Sequence, residues 1–335
     1  MEVKKNFING AWVLSKSGET REVINPATGE VLAIVTESNR DDAQAAIEAA
    51  HTSFYRERTW RDMSAQDRSD ILYKISSLID QHRDELARLD SLDNGKPLRE
   101  AEGDIDDAYH CFLYYAGLIK LPHGGVQEVN DGFGKIHSYT VHEPVGVCGQ
   151  IVPWNYPLLM AVWKLAPALA AGNSIVFKPS EETPLSVCRL FELFDEAKLP
   201  KGVANLVLGS GAAVGAELAE NQRVDMITFT GSTKVGQSIM RAAAGNVKKI
   251  GLELGGKSPN IIFSDADFEG AVEWAMIGIF FNQGQVCSAG SRIIIEESLK
   301  ERFVTRLKER AEGMTIGNGL DNPDTVSYTH LTLPT

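Results

Sequence analysis

The sequence has no cysteine pairs, long apolar run, basic cluster or internal repeat. Its four cysteines, Cys111, Cys148, Cys188 and Cys287, include no C-x-x-C spacing. Neither a zinc pattern nor a disulfide framework is therefore indicated, and a reducing compartment suits a free thiol. Met1 to Asn6 lead into mixed polar sequence with no apolar signal core. The most apolar stretch, around Leu158 to Ala171, is broken by Lys164 and Pro167 and is too short to span a bilayer. The expected setting is cytoplasmic. No Lys/Arg run occurs and the net charge is −12, the reverse of a nucleic-acid footprint. Neither nucleic acid nor membrane is an expected partner.

What is present is a chain of 335 residues, 43% hydrophobic, ample for a large core and for two domains. Asn25-Pro26-Ala27-Thr28-Gly29 reads as a turn between two short strands. Residues 41–120 are helical in pattern, with Ser64 and Asp67 as a start signal before an amphipathic run. Residues 124–141 read as a β-hairpin turning at Gly132 and Gly134. From 145 to 254 strand and helix alternate, with strands expected at 145–151, 174–178, 204–208, 226–230 and 249–254. Such alternation implies an α/β fold with a parallel sheet covered by helices and ligands at the carboxyl ends of its strands. Residues 326–335 carry no charged residue besides His330.

Two places suggest chemistry. Cys287 follows Gly284-Gln285-Val286 in a Gly-rich, mostly uncharged segment ahead of Ile293-Ile294-Ile295. Glu253 stands between Leu252 and Leu254, before Gly255-Gly256-Lys257. A thiol nucleophile and an apolar-flanked carboxylate suit chemistry at a carbonyl carbon. Alone, each has a plainer reading: free cysteine packs as a small hydrophobe, and Glu253 fits a βα turn.

Pro153-Trp154-Asn155-Tyr156-Pro157, Lys178-Pro179-Ser180-Glu181, Phe229-Thr230-Gly231-Ser232-Thr233, Glu253-Leu254-Gly255-Gly256-Lys257 and Gly284-Gln285-Val286-Cys287 together resemble the aldehyde dehydrogenase superfamily. They fall in that family's order, and the likeness runs from Phe7-Ile8-Asn9-Gly10 to about Gly319. Within the superfamily the chain resembles the betaine-aldehyde dehydrogenases. The resemblance implies NAD-dependent oxidation of a small aldehyde to a carboxylic acid through a cysteine thiohemiacetal and thioester. Cys287 would be the nucleophile. Glu253 would be the base, its flanks raising its pKa towards neutrality. Asn155 would donate to the developing oxyanion, or serve as a turn asparagine. Lys164 would relay protons, or be a solvated lysine.

Gly209 to Gly215 looks like a Rossmann loop whose last spacing is one residue too long. The resemblance instead sets the pyrophosphate near Gly231 and Ser232, at a helix start. Lys178 and Glu181 would hold the adenosine ribose, the carboxylate favouring NAD over NADP. Pro153, Trp154, Ser180, Gly211 and Leu254 complete the implied cofactor surface. Tyr156 and Trp163, seven apart, would share one helix face and offer aromatic faces to a trimethylammonium group. Phe280 and Phe281 are expected in the core.

The implied organisation is a Rossmann-like NAD-binding domain (1–121 and 143–254), an oligomerisation hairpin (122–142), an incomplete α/β catalytic domain (255–325) and a tail foreign to the family (326–335). A short terminal strand is the other reading of the tail. The full-length parent is expected to be a homo-oligomer and this chain a truncation of it. No Glu-x-Phe-Gly-Pro segment occurs, the family's contact to the nicotinamide ribose. An enzyme passing its thioester to a thiol cofactor, a general aliphatic or aminoaldehyde dehydrogenase, and an inactive NAD-binding fragment are the alternatives.

Overall fold

The computed structural model describes residues 2–121, 123–130 and 132–321, with the backbone of 326–327. The chain opens with short strands: β1 (Val3–Lys4), β2 (Asn6–Ile8), β3 (Ala11–Val13), β4 (Thr20–Ile24) and β5 (Val31–Thr36). β4 and β5 pair antiparallel across the expected turn, where Asn25 accepts the Ala27 N–H and Gly29 takes φ 76°. Four helices follow, α1 (Arg40–His51), α2 (Ala65–Gln81), α3 (Arg83–Asn94) and α4 (Leu98–Leu118). Ser64 caps α2 by accepting the Asp67 N–H, an interaction typically contributing about 1 kcal/mol.

The expected hairpin consists of β6 (Val126–Asn130) and β7 (Lys135–Tyr139), paired from Val126↔Tyr139 to Asn130↔Lys135. All its strand residues are exposed, so it adds nothing to a core. Beyond it strand and helix alternate: β8 (Val147–Ile151), α5 (Pro157–Ala170), β9 (Ser174–Lys178), α6 (Leu185–Glu196), β10 (Ala204–Leu206), α7 (Ala216–Glu220), β11 (Met226–Gly231), α8 (Thr233–Ala243) and β12 (Lys249–Leu254).

These five strands are parallel and run from one edge of a seven-stranded sheet, ordered β12-β11-β8-β9-β10-β2-β3, in which β2 pairs antiparallel with β10 and with β3 at the other edge. From β8 the chain builds outward through β9 and β10, then returns to the other side for β11 and β12. The order therefore reverses between β8 and β11, and in open α/β sheets ligands generally bind at such a point, beyond the carboxyl ends of the strands.

Each face of the sheet carries a separate core. Val147, Ile151, Val176, Ile227 and Phe229 pack against α1, α7 and α8. Cys148, Ile175 and Phe177 pack under α5 and α6. Helices cover the sheet as expected, except on one face of β11 and β12. Their first face is apolar, with Ile227 and Phe229 in the core and Leu252 and Leu254 packed against it, partly buried. Their second presents Thr228, Thr230, Gly251 and Glu253 to a cleft. Two-residue strand periodicity sorts the side chains this way.

After β12 come β13 (Pro259–Ile262), α9 (Phe268–Phe280), β14 (Arg292–Ile295) and α10 (Lys300–Glu312). β13 pairs with β14 in parallel, and Ile262, Val272, Ala275 and Phe303 make a small third core. Phe280 and Phe281 are not in it: Phe280 is half-buried and Phe281 exposed, because α9 turns Val272, Ala275 and Met276 inward. β15 (Ile316–Gly317) pairs in parallel with the backbone of β16 (Val326–Ser327). The rest of 326–335 lies outside the described residues. Among the described residues, no helix is long and apolar enough to cross a membrane.

Candidate active site

α5 is buried on nearly every side, as an apolar helix in a core should be. Leu158, Leu159, Met160, Val162, Leu165 and Leu169 all face inward. Trp163 and Lys164 break that pattern and look across the uncovered face of β11 and β12. Between them lies a cleft of about 590 Å³, bounded by Trp163 and Lys164 on α5, Thr230 on β11, Glu253 on β12 and Cys287. Two segments far apart in the chain thus bring the thiol and the carboxylate to one cavity.

Cys287 is the one exposed cysteine of the four, all of which are described. Burial pushes Cys111 up to about 11 and Cys148 and Cys188 up to about 12. Those three stay protonated thiols at neutral pH, although Cys148 also lines the cleft. The expectation of an apolar setting for Glu253 is corrected: Leu252 and Leu254 point into the opposite face, and Glu253 is exposed. Lys164 is half-buried, and burial pushes its ammonium down to about 8 against the opposing charge of Glu253.

The segment before Cys287 is strained. Asn282 (φ 48°, ψ 42°) and Gln283 (φ 53°, ψ 28°) are both left-handed, and Gly284 follows at φ 77°. Such a conformation costs roughly 1–3 kcal/mol at each non-glycine residue and persists only where neighbours hold it. Here the Asn282 N–H donates to Glu100 Oε2 at 2.8 Å, and Gln283 Nε2 donates to the Gly95 carbonyl at 2.6 Å. Asn155 Nδ2 donates to the Gln285 carbonyl at 2.7 Å. That bond uses one of its two amide hydrogens, and Asn155 itself is not among the residues lining the cleft.

Sequence reasoning missed the support beneath these segments. Lys96 is fully buried and salt-bridged to Asp104, and its ammonium lies 4.1 Å from the Tyr156 ring centroid. Asp90 and Asp93 are buried beside it, accepting the N–H groups of Leu158 and Leu185. Burial pushes Asp90 up to about 6 despite the pull of Lys96, and lifts Asp93 well above the usual range, with the Asp90 charge adding to the effect. Asn94 donates to the Trp154 carbonyl at 2.9 Å. The legible signal was Asp93-Asn94-Gly95-Lys96-Pro97, too many polar residues for an ordinary helix end. Tyr156 is separated from Trp163 by this arrangement. It is 8% exposed and bound to the Lys96 side, whereas Trp163 is 51% exposed in the cleft.

The residues assigned to a cofactor gather at the carboxyl ends of the strands. Pro153 and Trp154 follow β8, Lys178 ends β9 with Ser180 and Glu181 just beyond, Gly231 ends β11 and Leu254 ends β12. Ser232 caps α8 by accepting the Val235 N–H at 3.3 Å. Leu254 packs on Gly236, where a Cβ would come within 2.7 Å of Leu254 Cδ2. Lys178 is buried and already engaged, donating to the Pro179 carbonyl and pairing with Glu181 at 3.2 Å. Burial favours the protonated Glu181 carboxyl, but Lys178 and backbone donors, Gly211 N–H among them, outweigh it and hold the pKa below the usual value. Gly209 leads not into a Rossmann turn but into a π-helical turn, Gly211–Gly215, capped by Ser210.

Residues 12–329 match the model of the "Aldehyde dehydrogenase family", a span that includes 326–329 of the segment read as foreign. Betaine aldehyde dehydrogenase of Bacillus subtilis is 51% identical over 313 residues, covering 93% of this chain and 63% of that protein. Mitochondrial aldehyde dehydrogenase of Rattus norvegicus is 48% identical over 318 residues, covering 94% and 61%. The chain thus spans less than two thirds of the length of these relatives. The crystal structure of betaine aldehyde dehydrogenase from Staphylococcus aureus in complex with NAD+ superimposes with a TM-score of 0.94 at 46% identity, covering 98% of this chain and 65% of that one. The chain belongs to the aldehyde dehydrogenase family.

Proposed function

We propose that the protein is an NAD-dependent aldehyde dehydrogenase acting through Cys287. The observation that carries this reading is the opening of Cys287 and Glu253 onto one cleft. The Cys287 thiolate adds to the aldehyde carbon, and the carbonyl oxygen becomes an oxyanion. The free amide hydrogen of Asn155 and the Cys287 backbone N–H stabilise it, each such donor being worth about a hundredfold or more in rate. Glu253, facing water in the cleft, takes the proton of the water that releases the acid from the Cys287 thioester. Lys164 exchanges a proton close to working pH beside it.

The ends of β9 and β11 fit a dinucleotide. An ionised Glu181 accepts hydrogen bonds from ribose hydroxyls and repels a 2′-phosphate, and the start of α8 offers backbone N–H groups to phosphate. A dinucleotide held by these residues would supply the acceptor for the hydride that leaves the substrate carbon. The projecting hairpin suits association of subunits in the full-length protein, and four unpaired thiols suit a cytoplasmic setting.

The proposed substrate is betaine aldehyde, with Trp163 as the aromatic face. A second reading, a general aldehyde dehydrogenase, is favoured by Lys96: its ammonium already occupies the Tyr156 ring, leaving one aromatic for a substrate cation. Betaine aldehyde and its uncharged isostere 3,3-dimethylbutanal separate the two when NADH formation is followed with NAD and NADP. A higher kcat/KM for the cation, lost in Trp163→Ala, supports betaine aldehyde. Equal values establish the general enzyme, and no NADH with either aldehyde, or turnover surviving Cys287→Ala, rejects the mechanism.

A further inference from the structure

Chemistry at a carbonyl requires the attacking thiol and the oxyanion donor to be in place together. Here they come from separate segments: Asn155 lies 130 residues before Gln285, whose carbonyl it binds. Two segments so distant need a tie, because a misplacement of about an ångström costs roughly a hundredfold in rate. Asn282 is that tie. It is 0% exposed, and its one side-chain amide donates to the carbonyl of Asn155 at 2.8 Å and to that of Gln285 at 3.3 Å. The Gln285 carbonyl thus holds both amides, two residues before Cys287. From the other side, Glu100 on α4 accepts the Asn282 N–H at 2.8 Å.

We propose that Asn282 is a positioning residue that ties the oxyanion donor Asn155 to the segment carrying Cys287, and that Glu100 fixes it there. The proposal rests on the assignment of Cys287 and Asn155 given above. Asparagine suits the place on two counts: it tolerates a left-handed backbone better than other side chains do, and its amide supplies two donors.

Two reactions of Cys287 in the 335-residue chain test it, neither requiring NAD. In acylation by p-nitrophenyl acetate, the thiolate adds to the ester carbonyl, an oxyanion forms, p-nitrophenolate leaves and the acetyl group stays on sulfur. In alkylation by iodoacetamide, followed on the Cys287 peptide, the thiolate displaces iodide and no oxyanion forms. Asn282→Asp removes the donors at constant size. Asn282→Gly removes them while keeping the left-handed turn accessible. Both are expected to lower acylation about a hundredfold while alkylation stays within about threefold of the parent. Glu100→Ala leaves the amide intact and is expected to lower acylation about tenfold; it carries the test if the Asn282 variants do not fold. Acylation and alkylation falling together in folded variants would make Asn282 a general structural residue and overturn the proposal. So would acylation that depends on Cys287 and is indifferent to Asn282 and Glu100. Acylation that survives Cys287→Ser overturns the Cys287 assignment itself, and this proposal with it.

Discussion

Leu252 and Leu254 flank Glu253 in the chain yet lie on the other side of the sheet. Chain neighbours therefore told nothing about its surroundings, whereas the alternation of 250–254 did: apolar at even positions, glycine and glutamate at odd ones. Because Glu253 faces water at the cleft, its expected part is in hydrolysis. Glu253→Gln should leave a pre-steady-state burst of NADH and slow the steady rate by about a hundredfold; an equal loss in both phases would place it on the thiol instead. Lys164 offers a pH test. Burial sets its ammonium at about 8, so the neutral, proton-accepting form appears as pH rises through 8. A rate that climbs through that window in the parent and is flat there in Lys164→Met is the expected pair of profiles. The motif residues were legible because they are chemically specific. The Lys96 partner of Tyr156 was not legible, because it is remote in sequence and nothing in the spacing of α5 points to it.

At the scale of elements, the five parallel strands were legible as apolar segments between helices, two of them to the residue. β13 was not: it begins with Pro259, is four residues long and has no apolar alternation to mark it. The buried charges of α3 were equally hidden, since a helix rich in aspartate reads as a solvated one. Their consequence is a stability that runs against the usual acid trend. A carboxyl whose folded pKa is raised binds its proton earlier in the folded state, so stability from that group falls as pH rises from the unfolded value towards the folded one. For Asp90 that window runs from 3.8 to about 6. Asp90→Asn is expected to be more stable than the parent at pH 7.5, by on the order of 1–3 kcal/mol, with the gap closing by pH 4. Denaturation midpoints at the two pH values check it, and a gap that widens on acidification would contradict the assignment.

Across the whole molecule, the residues after β12 are thinly covered. Ile261 and Ile294 are paired across β13 and β14 and both exposed, with Trp274 69% exposed on α9. Parallel strands are ordinarily buried on both faces, and open apolar patches of this kind promote association. The chain is expected to bind a hydrophobic dye and to associate with rising concentration; Ile261→Thr with Ile294→Thr should reduce both, as dye fluorescence and light scattering would show. That coverage was not readable from composition, because 43% hydrophobic describes how much apolar surface exists and not which layers meet.

The edge of the main sheet has a consequence in time. β2 is made long before its partner: it pairs with β10, and Asn6 accepts the Leu208 N–H from 202 residues away. A ribosome adding about 5–20 residues per second needs roughly 10–40 s to produce that partner. Throughout that wait Phe7 and Trp12, whose tilted rings lie 4.9 Å apart in the finished fold, have only the β2–β3 pair to join. β2 is thus seated long after it is made, and the growing chain meanwhile carries two aromatic side chains that a chaperone or a neighbouring nascent chain meets before the sheet does.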